Sequence, residues 1–469
     1  MGPRRRGRAV KPVLTSAEMA AVDEEARGRV GLEMLVARAG FAVCRTAVAC
    51  MGGTYGRRVV VVAGRGHNGD DGRVAAALLA RRGAAVTVYD AAGAPGELPA
   101  CDLVIDAAFG TRFHGEYTAP RPPDDATVLA VDVPSGLVAD TGRATPGAVR
   151  ADLTVTFGAL KPGLLLGRGP ELAGAVLVES IGLEVGTPAQ HLVEDADLAW
   201  LPARDPRGNK WDTAVYVVAG SPGMFGAAGL AASGAIRAGA GMVRLGSPGV
   251  APGTIPVVEA VCRPIPESDW AAPVLAELVR CRALVVGPGL GRAEAAIRGV
   301  LELVAAAEVP VVIDADGLFA LGAARDAAAL LKRRSRPTIV TPHDGEYARL
   351  AGAPPGDDRL TAARRLAEEL GAFVLLKGPA TVVAAPGGEA LIVAAGSSRL
   401  STAGTGDVLS GVIGALVARG LEPLRAAGLA AHVHGRAAAM GLSEGLEAGD
   451  LPLLVAAVLS AGAGTGATP

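Results

Sequence analysis

Short runs of consecutive β-branched residues recur along the chain, separated by longer stretches in which apolar and polar positions repeat at helical spacing. Arg58-Val59-Val60-Val61-Val62 opens the series, followed by a Gly-rich turn and a helix predicted from about Val74 to Arg82. Ala85–Tyr89, Leu103–Asp106, Val128–Asp132 and Leu153–Phe157 read as further strands. Strands apolar on both sides need cover on both faces, which is the habit of a parallel sheet connected by helices. A second series follows at Val215–Val218, Met242–Leu245, Leu284–Val286, Val311–Ile313, Ile339–Thr341 and Phe373–Leu376. Val382–Ala385 and Ala390–Val393, joined by Pro386-Gly387-Gly388, read as a hairpin. The Pro-, Gly- and charge-rich stretch Leu201–Gly208 interrupts the pattern. The expected organisation is a basic tail at 1–11, an α/β domain at 12–195, a linker at 196–210 and a second α/β domain at 211–469, with no internal repeat.

Length and charge narrow the possibilities. A chain of 469 residues has ample material for buried cores in two or three domains. Its net charge of −2 steers it toward neither nucleic acid nor membrane, and neither is expected as a partner. No apolar run is read as reaching the roughly 18 residues of a spanning helix; Arg237, Asp407 and Arg419 interrupt or bound the longest candidates. Cys44, Cys50, Cys101, Cys262 and Cys281 form no metal spacing and read as thiols in a reducing, cytoplasmic setting. The basic start Arg4-Arg5-Arg6-Gly7-Arg8 lacks an apolar segment behind it, so it reads as a frayed tail rather than a signal peptide.

Two Gly-rich turns carry chemistry. Thr402-Ala403-Gly404-Thr405-Gly406-Asp407 runs into the apolar segment Val408–Ile413, placing small residues and one carboxylate at a helix start. Free N–H groups and the helix dipole make such a terminus an anion site, and the glycines let a ligand approach the backbone. Phosphoryl transfer suits it: the N–H groups of Ala403–Gly406 hold the charge while Asp407 takes the proton of an attacking hydroxyl. Plain helix capping by Asp407 is the bland alternative. The other turn, Gly64-Arg65-Gly66-His67-Asn68-Gly69, fits a dinucleotide fingerprint, with Asp90 placed as a ribose-binding acid. That would make the chain a nicotinamide dehydrogenase. Asp70 and Asp71 oppose this, because two carboxylates at the helix start repel a pyrophosphate and suit a cation better. His432 and His434, two apart on a helix, point to different faces and make poor metal partners. Asp314 and Glu346 read as water-mediated supports for a metal or as ordinary strand-end residues.

The first half, with Leu14-Thr15, Glu18-Met19, Ala39-Gly40, Asp106–Thr111, Phe113–Tyr117 and Val131–Gly136, resembles the NAD(P)H-hydrate epimerase (YjeF N-terminal) family over residues 12–190. The resemblance implies that Asn68, Asp106 and Ser135, with a backbone carbonyl, hold K⁺. It places substrate against His67, Asn68, Gly69, Asp70 and Asp71, against Gly110, Thr111, Arg112, Phe113, His114, Gly115 and Glu116, and against Asp132 as acid/base. The family turn N-N-G-G-D-G reads here His67-Asn68-Gly69-Asp70-Asp71-Gly72, so Asp70 is expected either to strain the backbone or to point outward. Its F-G-T-G loop reads Phe109-Gly110-Thr111-Arg112, and His114 stands where relatives carry Lys or Arg.

The second half resembles the ribokinase-like, ADP/ATP-dependent NAD(P)H-hydrate dehydratases over residues 205–440. The matching motifs are Asn209–Trp211, Val218–Ala227, Val286–Gly291, Ile313–Leu318, Thr341–Glu346, Lys377–Thr381 and the G-T-G-D turn. The resemblance implies substrate near Ala227, Gly289 and His343, and nucleotide along Lys377, Gly378, Pro379, Ala380 and Thr381 with Gly404 and Gly406. It also implies ADP or ATP with Mg²⁺, and Asp407 as catalytic base. Both halves are then three-layer αβα domains, the first Rossmann-like and the second ribokinase-like. The whole reads as a homo-oligomeric repair enzyme for hydrated NADH and NADPH. The alternatives are a ribokinase-like kinase for a small vitamin alcohol, a first half serving only as ligand-binding scaffold, and the dehydrogenase above.

Overall fold

The computed structural model describes residues 11–463. The chain divides into two units, Lys11–Gln190 and His191 onward. The first unit runs β1 (Lys11–Val13), α1 (Ser16–Val30), α2 (Leu32–Met51), β2 (Arg58–Ala63), α3 (His67–Arg81), β3 (Ala85–Asp90), β4 (Leu103–Ala107), β5 (Thr127–Val131), β6 (Leu153–Phe157), α4 (Pro162–Leu165), α5 (Gly169–Leu172) and β7 (Ala175–Glu179). Its parallel sheet has the order β3-β2-β4-β5-β6-β7, with Val61 opposite Val88 and Ile105. From β2 the chain goes first to one side and then to the other. That places a crevice at the carboxyl ends of β2 and β4, where ligands settle in open parallel sheets. Val59, Val61, Leu103, Ile105, Leu129 and Val155 pack against α1–α3. Val60, Val62, Val104 and Val128 face the other way, under loop residues such as Leu98 and Val149.

Two expectations change. Helix α3 begins at His67 rather than near Val74, so the Gly-rich turn is its first turn. Asp70 is helical, with no positive φ, and points outward to His67 Nδ1 and Arg73 Nη1, each at 3.6 Å. Helix α2, with 20 residues, is long and apolar enough to cross a membrane by length and composition, contrary to expectation. It carries Glu33, Arg38 and Arg45, and half of its apolar stretch is buried within the protein, including Val43 and Ala47 in the core. It fits a core helix.

The short strand β8 (Gln190–Leu192) crosses the division. The second unit continues β9 (Ala214–Val218), α6 (Phe225–Arg237), β10 (Met242–Pro248), β11 (Val261–Ile265), α7 (Ala271–Leu278), β12 (Ala283–Val286), α8 (Glu294–Ala306), β13 (Val311–Ile313), α9 (Asp316–Leu321), α10 (Ala324–Leu331), β14 (Thr338–Val340), α11 (Asp344–Ala351), α12 (Arg359–Leu370), β15 (Phe373–Leu376), β16 (Thr381–Ala384), β17 (Ala390–Val393), α13 (Thr405–Ala418), α14 (Pro423–Met440) and α15 (Leu451–Ala463). Within the unit the strand order is β17-β16-β15-β14-β13-β12-β9-β10-β11. The strands pair in parallel up to β15, and β16 and β17 form the antiparallel hairpin. Val215, Val217, Val243, Val285 and Val312 pack under α6, α13, α14 and α15 in one apolar core. The segment 196–210 belongs to this unit. Part of it lies in a 3₁₀ turn, Asp195–Trp200, and Arg419 donates to the Pro202 carbonyl at 3.2 Å. The basic tail at 1–11 falls, but for Lys11, outside the described residues.

Candidate active sites

Alternation along β4 turns Asp106 away from the helices, at the carboxyl end of the strand, where it is 2% exposed. Its Oδ2 accepts the Ser135 N–H at 2.8 Å, and its Oδ1 accepts the Ser135 hydroxyl at 2.7 Å and the Ala108 N–H at 3.3 Å. Ser135 Oγ accepts from the Phe109 N–H at 2.9 Å, and Asn68 Nδ2 donates to the Phe109 carbonyl at 2.8 Å. A Cβ at Gly110 would sit 3.3 Å from Asn68 Cγ, so the loop closes tightly over Asn68. Asn68, Asp106, Ser135 and the Phe109 carbonyl thus gather at one point. Burial pushes the Asp106 carboxyl up to about 6, although the Ser135 and Ala108 donors pull the other way. A buried carboxylate among neutral oxygens is a fitting donor set for a monovalent cation.

Asp132, at the end of β5, takes a left-handed backbone with φ 67°. Its Oδ1 accepts from Lys161 Nζ at 2.6 Å and from Thr156 Oγ1 at 3.1 Å. Lys161 is 1% exposed and also donates to Thr156 Oγ1 at 2.7 Å and the Phe157 carbonyl at 3.0 Å. The sequence reasoning missed this lysine. Asp71, buried in α3, is pushed up to about 8 by burial and then by the charges of Asp132, Asp70 and Asp23. Burial, and then Asp132, likewise raise the Asp23 carboxyl, while Lys161, Arg112 and His67 pull it down. The predicted substrate turn and Asp132 therefore share one electrostatic neighbourhood. In the loop 110–116, Phe113 is buried and packs edge-on to Phe109, with ring centroids 5.2 Å apart. Thr111 is half-buried, its carbonyl accepting from Ser16 Oγ, while Arg112, His114, Gly115 and Glu116 are exposed.

In the second unit Gly404 caps α13 with φ 92°, and a Cβ there would lie 2.5 Å from Leu230 Cδ1. The G-T-G-D turn needs glycine at this point. Asp407 lies in the first helical turn, half-buried. Burial raises its carboxyl to about 7, helped by Asp314 and opposed by Lys377. Lys377 Nζ donates to Asp314 Oδ1 at 2.9 Å and lies 3.6 Å from Glu346 Oε2. Ser410 Oγ donates to the other Asp314 oxygen. Burial works against the Asp314 charge, but Lys377 and the Ser410 bond more than offset it and hold its carboxyl below the usual range. The structure thus uses Asp314 and Glu346 to anchor Lys377, with both Asp314 oxygens occupied. Glu346 also accepts the His343 N–H at 2.9 Å, and His343 Nδ1 caps α11 through the N–H groups of Gly345 and Glu346. Gly289 and Ala227 are in contact: a Cβ on the former would lie 2.8 Å from Cβ of the latter. The segment Lys377–Thr381 turns from β15 into β16, its Lys377 carbonyl held by Arg359 at 2.7 Å. No group of three His, Cys, Asp or Glu forms a metal cage among the described residues.

His434 was also missed as a site neighbour. It is 4% exposed, hydrogen-bonded to the Thr405 backbone, and burial drives its pKa down to about 4, so its ring is neutral. His432 bonds instead to Asp195 Oδ1 at 2.8 Å, so the two rings do serve different faces.

A family profile described as NAD(P)H-hydrate dehydratase matches residues 215–458. One described as YjeF-related protein N-terminus matches residues 32–98 and 89–163. A bifunctional NAD(P)H-hydrate repair enzyme of Mycobacterium tuberculosis is 41% identical over 427 residues, covering 84% of this chain and 86% of its own. The chain belongs to the bifunctional NAD(P)H-hydrate repair family. The Escherichia coli member of this repair family is 36% identical over 474 residues, covering 89% of this chain and 87% of its own. Among solved structures, the ADP/ATP-dependent NAD(P)H-hydrate dehydratase of Bacillus subtilis, co-crystallised with ATP/Mg²⁺, is 29% identical with a TM-score of 0.49. It covers 58% of this chain and 97% of its own. A ribokinase-like superfamily protein of Enterococcus faecalis, at 19% identity, TM-score 0.51, and coverage of 60% and 98%, shares the fold. The repair-family match spans both units, the YjeF-related profile lying within Lys11–Gln190 and the dehydratase profile after His191.

Proposed function

We propose that the chain repairs hydrated NADH and NADPH in two steps. The first unit interconverts the R and S hydrates, and the second dehydrates the S form using ADP or ATP. The observation that carries the second step is Asp407, a carboxyl raised to about 7 at the start of α13 beside the Lys377–Asp314 pair. Near neutrality such a group accepts a proton readily. Asp407 takes the proton of the hydrate hydroxyl as that oxygen attacks the terminal phosphoryl group, while the N–H groups of Ala403–Gly406 and the Lys377 ammonium hold the charge. Loss of the phosphorylated hydroxyl as phosphate, with a ring proton, restores the dihydropyridine. Ala227, Gly289 and His343 border the substrate, and Gly378, Pro379, Ala380, Thr381, Gly404 and Gly406 border the nucleotide. Mg²⁺, held chiefly by the phosphates, supplies charge neutralisation when bound.

In the first unit Asp132 exchanges the proton at the epimerising carbon, and Lys161 fixes its carboxylate. Asn68, Asp106, Ser135 and the Phe109 carbonyl would hold K⁺, which when bound would supply a fixed positive charge to the site. Cytoplasmic location and assembly into a homo-oligomer belong to the same proposal.

Purified protein is incubated with mixed NADH-hydrate epimers, Mg²⁺ and ADP or ATP, and the near-ultraviolet absorbance of NADH is followed. Recovery is expected to pass the S-epimer fraction, to stop at it in Asp132→Asn, and to vanish in Asp407→Asn. Absence of recovery with either nucleotide, alongside a stable phosphorylated vitamin alcohol, would establish the small-alcohol kinase instead.

A further inference from the structure

On the sheet face of the first unit that looks away from α1–α3 lies a cavity of about 290 Å³. Val62, Val104 and Val128 form its floor, and Leu98 and Val149 line its sides. Tyr117 and the buried carboxyl of Asp106 line it too. The Tyr117 hydroxyl is shut off from solvent and meets no hydrogen-bond partner among the described residues. A buried hydroxyl left unpaired is costly, so a ligand offering it one polar atom is stabilised there. Arg121 and Arg150 border the cavity with exposed side chains. Their partners are surface acids, Asp124 at 3.4 Å and Glu97 at 4.0 Å for Arg121, and Glu171 at 2.5 Å for Arg150. Such exposed pairs are weak and exchange easily for a phosphate, which guanidinium groups bind in bidentate fashion.

We propose that this cavity seats the planar heteroaromatic base of a nucleotide, with a polar ring edge at Tyr117 and the phosphate between Arg121 and Arg150. Its volume lies at the lower end of ligand pockets, roughly 300 Å³ and upward, which suits one base and excludes a whole dinucleotide. The apolar floor supplies the burial that a flat ring needs, and the two polar features supply its orientation. Neither Asp132 nor Lys161 lines the cavity, but Asp106 of the proposed K⁺ set does, so the site adjoins that set.

The test reads Tyr117 directly. The chain has five tyrosines, so protein labelled with 3-fluorotyrosine gives a small set of ¹⁹F lines, and Tyr117→Phe identifies the one that matters. Millimolar AMP is expected to move that line saturably. Adenosine, lacking the phosphate, should bind about tenfold more weakly, and Arg150→Glu should weaken AMP to the same extent. Val128→Phe fills the cavity and should abolish the shift; Ala148→Leu serves the same purpose if the larger side chain prevents folding. A shift with NAD⁺ equal to that with AMP assigns the pocket to the adenylate half of a dinucleotide, and a shift with AMP alone assigns it to a free mononucleotide. A Tyr117 line unmoved by AMP, adenosine and NAD⁺, or a shift that survives both Arg150→Glu and the cavity-filling variant, overturns the proposal.

Discussion

Replacing Lys161 by Met removes the ammonium and keeps the stem, which isolates one interaction. Lys161 is 1% exposed and its Nζ makes three bonds, to Asp132 at 2.6 Å, Thr156 at 2.7 Å and Phe157 at 3.0 Å. The Asp132 side chain is 14% exposed, so losing the partner strands a largely buried charge. Breaking such a pair from one side costs about 3–5 kcal/mol. The double variant Lys161→Met, Asp132→Asn leaves no stranded charge and is expected to recover roughly 2 kcal/mol of that loss. Urea unfolding resolves the effect because the tryptophans, Trp200, Trp211 and Trp270, all lie in the second unit. Circular dichroism of the Lys161→Met protein should show an early transition, while tryptophan fluorescence keeps the parent midpoint. Epimerisation should drop by roughly 10²-fold, the scale of a lost acid/base function, with dehydration of pure S-hydrate unchanged. An unchanged first-unit midpoint together with full epimerisation would refute the argument that Lys161 holds Asp132.

Three further expectations follow from the same geometry. Asp71, raised to about 8, stabilises the fold only while protonated, whereas the unfolded chain loses that proton near pH 4; stability attributable to it is therefore lost as pH rises toward 8. Between pH 6 and 9 the parent should lose about 3 kcal/mol, at roughly 1.4 kcal/mol per unit, and urea midpoints of Asp71→Asn should lack that drop. At saturating K⁺, some hundredfold above its dissociation constant, the first unit should gain about 2.7 kcal/mol over choline buffer, read as a melting-temperature shift that Asp106→Asn removes. Ala315 has φ 50° between Asp314 and Asp316, a conformation costing on the order of 1–3 kcal/mol for a residue with a Cβ; Ala315→Gly should raise the second unit's unfolding midpoint, and a lowered midpoint would show that the strain is absent.

The sheets were legible because strands buried on both faces must be written as continuous apolar runs, so Val59–Val62 and Val215–Val218 announce themselves. The gathering of Asn68, Asp106 and Ser135 was legible only through the family resemblance, and the G-T-G-D turn through its two glycines at a helix start. Lys161 was not, since a lysine after Leu160 and before Pro162 reads as a surface residue until Asp132, 29 positions earlier, is seen against it. Helix α3 was cut short because Gly69, Asp70 and Gly72 have poor helix propensity, which packing of Gly72 against Ala107 overrides. What neither motif revealed is a construction common to the two units. Each holds a buried lysine–aspartate pair, Lys161–Asp132 and Lys377–Asp314, beside a second carboxyl with a raised pKa, Asp71 at about 8 and Asp407 at about 7. The pair fixes a charge, and the charge of its aspartate helps the neighbouring carboxyl keep its proton near neutrality. In the second unit that neighbour is the carboxyl proposed as the base. In the first, Asp71 keeps its proton beside the Lys161–Asp132 pair, so the carboxyl proposed as the epimerase acid/base has a protonated carboxyl as its neighbour.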